Sequence, residues 1–215
     1  MANEIHNYPL EIYTIGNNDF LDVDYFNGVG YDSAKILGSN LKASVKSGIY
    51  TMISPSTYVT GTAEQSIIDG SSLGSLSVPA NGFQVGDTFR LTMRGYIGAH
   101  NNDTLTINLY TNGTTLLTST GPITMPTIGY KAFELIVDFV INAVGGPMVA
   151  GVTVAGGFSY NKDSANIYEG QDFVGVNNFS FDTTIPNVLD VKAQFNSSNP
   201  SNFIQSYIGI LEKTY

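Results

Sequence analysis

One stretch constrains this chain more than any other. Between Phe133 and Ile141 the apolar residues Phe133, Leu135, Val137, Phe139 and Ile141 fall on every second position, with Glu134, Asp138 and Asn142 in the opposite set. Successive side chains of a strand point to opposite faces, so this pattern is a strand with one face buried. Its β-branched and aromatic content argues against a helix. The same period recurs. Phe89, Leu91, Met93 and Ile97 alternate with Arg90, Thr92, Arg94 and Tyr96. Leu105, Ile107 and Leu109 alternate with Thr106, Asn108 and Tyr110, and Leu189, Val191, Ala193 and Phe195 with Asp190, Lys192, Gln194 and Asn196.

Turn chemistry separates these runs. Asn112-Gly113 precedes Leu116-Leu117, and both turn residues tolerate positive φ, a strong hairpin signal. Pro79-Ala80-Asn81-Gly82, Val85-Gly86-Asp87 and Gly145-Gly146-Pro147 are further breaks. Many short alternating strands without intervening helical patterns predict an all-β chain, an antiparallel β-sandwich or jelly roll. Its core is expected to draw on Phe89, Leu91, Leu105, Ile107, Phe133, Leu135, Val137, Phe139, Leu189 and Val191.

The texture changes along the chain. Residues 1–75 are irregular and turn-rich, which suggests an N-terminal attachment segment; residues 76–215 carry the strand pattern and are expected to form the sandwich. A short helix over residues 33–46 is an open alternative within the first part, weakened by Gly38 and Asn40.

Composition excludes several functions. Only 13% of the 215 residues are charged and the net charge is −9, so the phosphate-neutralising clusters of nucleic-acid binders are missing. There is no cysteine, hence no disulfide, thiolate metal site or cysteine nucleophile. The longest apolar stretches are interrupted by Glu134, Asp138 and Asn142, so no membrane insertion is expected. Met1-Ala2-Asn3-Glu4-Ile5-His6 lacks the basic and apolar regions of a signal peptide, which predicts synthesis in a cytoplasm.

Catalysis finds little to build on. His6 and His100 are the only histidines; His6 lies near the terminus and His100 in the turn-like Ala99-His100-Asn101-Asn102-Asp103. No Ser-His-Asp order or carboxylate pair stands out, so the chain is expected to be no enzyme and to need no cofactor. Asp19, Asp22 and Asp24 with Asn17 and Asn18 offer oxygen ligands of the kind calcium takes, but their spacing is not that of an EF-hand loop, and no metal is expected.

The tyrosines are more informative. Tyr96, Tyr110, Tyr130, Tyr160 and Tyr168, with Tyr58 and Tyr207, lie on polar faces or near turns. A tyrosine offers an apolar ring and a hydroxyl, which suits both sugar stacking and protein interfaces. The first five are the candidate surface or ligand contacts.

Four segments carry a family resemblance. Ser77-Val78-Pro79-Ala80-Asn81-Gly82-Phe83-Gln84-Val85-Gly86-Asp87-Thr88-Phe89 resembles a recurrent start of C-terminal β-domains in viral structural proteins, found in bacteriophage head or tail fibres and in virion proteins of large DNA viruses. Phe181 to Phe195 is similar to the penultimate strand of that family, Ile210 to Tyr215 to its closing strand, and Asp32 to Leu41 to a segment that often precedes these domains. The family often has Trp where Phe195 stands.

The resemblance implies a virion structural protein: a fibre, spike or capsid-surface component made in the host cytoplasm. It would act in particle assembly and host attachment, with other virion structural proteins and a host glycan or receptor as partners. It also implies a homotrimer. The residues themselves point only to burial: 148–158 carry no charge, and a chargeless strand is safe only in a core or against another copy. The alternative is a carbohydrate-binding module or adhesin that recognises surface glycans.

Overall fold

The computed structural model describes residues 20–26, 31–37, 47–162 and 167–215, with side chains from residue 48 onward. The chain divides into two compact units, Met1–Val45 and Lys46–Tyr215. In the first, β1 (Phe20–Phe26) and β2 (Tyr31–Leu37) pair antiparallel in unbroken register from Phe20↔Leu37 to Phe26↔Tyr31. The short helix considered over 33–46 therefore gives way to a strand across Ser33–Leu37, and the rest of that span lies outside the described residues. An isolated helix this short is marginal in water, whereas the hairpin satisfies the backbone across seven paired positions.

The second unit is an antiparallel β-sandwich. Its strands are β3 (Ser47–Met52), β4 (Gln65–Ser66), β5 (Ser72–Gly74), β6 (Ser77–Val78), β7 (Thr88–Ala99), β8 (Thr104–Thr111), β9 (Thr115–Ser119), β10 (Ile123–Thr124), β11 (Ile128–Ala143), β12 (Gly151–Lys162), β13 (Ile167–Asn177), β14 (Asn187–Phe195) and β15 (Phe203–Lys213). The larger sheet runs β13-β12-β11-β7-β15-β3-β5; the smaller runs β10-β8-β14-β4, with β9 also against β8 and β6 against β14. All these pairings are antiparallel. The turn after β8 places Asn112 and Gly113 at φ 54° and 70°, as the hairpin signal required.

Period two decides which side chains fill the core. Leu91, Met93, Leu135, Val137, Leu105, Ile107 and Val191 have no exposed surface. Of the expected core residues all are buried except Leu189, which is partly buried and packs against the others. At one end the two sheets leave a small apolar cavity of about 60 Å³, bounded by Phe83, Phe89, Leu117, Phe139 and Phe181 among others.

Two expectations shift. Residues 46–75, assigned by texture to the N-terminal segment, supply β3, β4 and β5 to the sandwich. Tyr50, Met52, Ile67 and Ile68 are buried there, and the Tyr50 hydroxyl donates to Ile68 O at 3.0 Å. The chargeless span 148–158 lies mostly in β12, which is paired on both sides by β11 and β13. Val152, Val154 and Phe158 point into the core, so this sandwich already provides the burial that span needs.

Candidate functional site

The outer face of the larger sheet carries a cluster of aromatic rings where β7, β11 and β15 run together. Tyr96 of β7 and Tyr130 of β11 stack with centroids 4.3 Å apart and planes 25° from parallel. Tyr207 of β15 meets Tyr96 edge-on at 5.4 Å. Phe203 lies between Tyr130, at 5.5 Å, and Tyr58, at 5.7 Å. Their exposures decide what the cluster can do: Tyr58 50%, Tyr96 37%, Tyr130 53% and Tyr207 39%. These are large apolar rings held in contact with one another and still open to solvent.

Local backbone geometry builds the cluster. Alternation along β11 puts Tyr130 on the same outer face as Ala132, the partner of Tyr96, whereas Tyr207 is the extra residue of an irregular β15. β11 is irregular between Ile128 and Lys131, and β15 is irregular between Ser206 and Ile208. Each irregularity shifts the register, which lets the extra residue be re-aimed. Gly98 then makes room for the ring beneath: it is the ladder partner of Phe203, and a Cβ at Gly98 would overlap the Phe203 ring. Only a glycine there lets the ring lie flat on the sheet.

A hydrogen bond to Tyr207, lost solvation and the neighbouring phenols of Tyr207, Tyr58 and Tyr96 push the Tyr130 pKa up to about 12. Being raised above the ordinary value of 10.0, it makes the folded chain hold this proton where the unfolded chain would lose it. The stabilisation is complete below pH 10 and fades as pH rises toward 12, so Tyr130 is uncharged throughout the physiological range.

Of the five candidate tyrosines, Tyr96 and Tyr130 meet in this cluster. Tyr168 is elsewhere on the same sheet, on the edge strand β13, and is 74% exposed. Tyr110 is on the other sheet, where its hydroxyl donates to Glu64 Oε1 at 3.1 Å and the Lys192 ammonium lies 4.8 Å from its ring centre. Burial and Glu64 raise its pKa. Tyr160 is buried at 3% and belongs to the core, so it cannot be a surface contact. Burial first, then Glu169, pushes its pKa up to about 12. The signal was in the sequence: Tyr160 continues the inward row of Val152, Val154 and Phe158.

His100 sits exposed at the turn before β8, its Nδ1 3.7 Å from Asp103 Oδ2. That carboxylate oxygen accepts from Ser197 Oγ at 2.6 Å and from Asn202 Nδ2 at 2.8 Å, which holds the Asp103 pKa below its usual value. The serine thus faces the aspartate rather than the histidine, the wrong order for a hydrolytic triad. His6, Asn17, Asn18 and Asp19 lie outside the described residues; Asp22 and Asp24 are in β1. Among the described residues no three His, Asp or Glu stand together as metal ligands, and no helix is long and apolar enough to cross a membrane.

No family model matches this chain, and no curated protein matches it. A solved structure similar to it is that of the CBM2 module of the evolved Dit of Lactobacillus casei BL23 phage J-1, with 13% identity, 74% of each chain covered and a TM-score of 0.27. A TM-score this low gives the likeness no weight in assigning a function.

Proposed function

We propose that this chain is a non-catalytic component of a virion surface and that it attaches to a host glycan through the tyrosine platform. The observation that supports this most is the exposed cluster of Tyr58, Tyr96, Tyr130 and Tyr207 over Phe203. Sugar rings present C–H faces that pack on aromatic rings, and their hydroxyls exchange hydrogen bonds with phenols. Rings already in contact with one another lose little freedom on binding, so the platform is preorganised for a flat, polar-edged ligand. The virion setting rests on the resemblance carried by Ser77–Phe89 and Phe181–Phe195. The opposed order of Ser197, Asp103 and His100 favours binding over hydrolysis.

A glycan array probed with the purified chain tests the reading. Binding to a defined set of glycans is expected at micromolar affinity, and Tyr130→Ala is expected to weaken it roughly tenfold, about 1.4 kcal/mol. If the array stays blank and Tyr130→Ala instead breaks an assembly of this chain, the platform is a contact between copies.

The same reading expects a homotrimer that joins other virion proteins. Mass measurement at micromolar concentration checks it: a trimer is the expected species, and a stable monomer removes the oligomer from the account while leaving the platform in place.

A further inference from the structure

The platform is one end of a longer feature. Across the larger sheet Tyr96 is opposite Ala132, and Asn161 is opposite Tyr168. Phe133 is opposite Tyr160, so Ala132 and Asn161 are the next step along the same antiparallel pair. Tyr96, Ala132, Asn161 and Tyr168 therefore form one row at right angles to the strands. Neighbouring strands are about 4.8 Å apart, so the two tyrosines at its ends stand about 14 Å from each other.

The adjoining rows are hollow at the Tyr168 end. Glu134, Ser159 and Gly170 make the next row, and Ile136, Gly157 and Asp172 the one after. With no side chain on Gly157 or Gly170, the face sinks into a depression of about 420 Å³ bordered by Tyr168, Glu134 and Asp172. That is the size range of small-molecule sites, ~300–1,000 Å³.

One polar group bordering the depression awaits a partner. The Asp172 carboxylate has no ion pair or hydrogen bond among the described residues, whereas Glu134 is held by Arg94 at 2.7 Å and Glu169 by Lys162 at 2.7 Å. Among the described residues this free acceptor has no unpaired cation beside it, which suits a ligand that donates hydroxyls and carries no negative charge.

We infer that the ligand is a linear, neutral oligosaccharide that lies across β7, β11, β12 and β13, one end on the tyrosine platform and the other against Tyr168. This rests on the glycan reading above and adds the ligand's length, charge and direction. A chain of several rings spans the row; a single ring reaches only one end. Its hydroxyls donate to Asp172, and its anionic counterparts are repelled by that unpaired carboxylate.

Calorimetric titration with gluco-, xylo- and N-acetylglucosamine oligomers, each from disaccharide to hexasaccharide, tests this. Affinity is expected to climb about tenfold with length in the series that binds. Tyr168→Ala, at an exposed position, is expected to remove that gain. Tyr130→Ala is expected to weaken every length. An affinity flat with length, or a Tyr168→Ala variant equal to the native chain at hexasaccharide length, overturns the extended track and leaves the platform standing. Selective binding of anionic glycans overturns the neutral ligand. Binding by no glycan of either kind overturns the platform reading itself.

Discussion

Phe139→Ala is expected to lower the free energy of unfolding by ~3–5 kcal/mol. Phe139 lies near the middle of the inward row of β11, opposite Phe89 on one side and Val154 on the other, and is 6% exposed. It also borders the apolar cavity between the sheets. Truncation would join the lost side-chain volume to that space. Phe89 sits on a strand with ladders on both sides and can close in only partly, whereas Phe83 and Phe181 lie in loops, so the cost falls within that range. Urea denaturation measures it. A midpoint shift with unchanged slope is the expected form; a loss below ~1 kcal/mol would mean that the ring faces solvent and that the strand register is off by one residue.

Lys213→Ala is expected to cost ~3 kcal/mol or more by leaving a buried carboxylate unpaired. The Lys213 ammonium lies 2.7 Å from Asp87 Oδ1, with side chains 11% and 8% exposed, far more enclosed than the pairs Arg90–Asp138 and Arg94–Glu134 on the outer face. The other oxygen of Asp87 accepts the Gln84 amide at 3.0 Å, so the carboxylate also closes the turn that leads into β7. The pair thereby ties the end of β15 to the start of β7. The double variant Asp87→Asn, Lys213→Met keeps an acceptor for Gln84 and removes both charges. It is expected to recover most of the loss, because a buried ion pair and an apolar substitute are often close in stability. A double variant as unstable as the single one would locate the cost in packing rather than in the orphaned charge.

The strand pattern makes the sandwich legible in the sequence. Burial leaves a direct imprint at period two, and Phe133 to Ile141 carries it without interruption. The boundary near residue 75 was not legible, because β4 and β5 are two and three residues long, too short for periodicity to register. What anchors that region is a set of scattered apolar residues, Tyr50, Met52, Ile67 and Ile68, whose burial depends on partners distant in sequence. The lack of charge in 148–158 was real but ambiguous: an interior strand and an interface strand have the same composition, and only the ladder on both sides of β12 tells them apart.

The site was half legible for a related reason. Tyr96 sits in a regular strand, so alternation placed it on the outer face. Tyr130 keeps the parity of Ala132 and Glu134, so alternation placed it there too, whereas Tyr207 reaches the face as an extra residue of β15, which no period-two reading can anticipate. Tyr160 was misplaced because Gly156 interrupts the apolar row of β12 and hides that the row continues inward. Gly98 and Phe203 had no visible connection until β7 and β15 were side by side.

The most direct measurement of the central claim is tyrosine-resolved NMR during titration with a glycan that the array selects. The account expects the ring resonances of Tyr96, Tyr130 and Tyr207 to move together and saturate at the same ligand concentration. The sugar's own C–H protons are expected to shift upfield as they settle over the ring faces. Saturation of binding with those three tyrosines unmoved, and the shifts confined to the smaller sheet or to the loops, would contradict it.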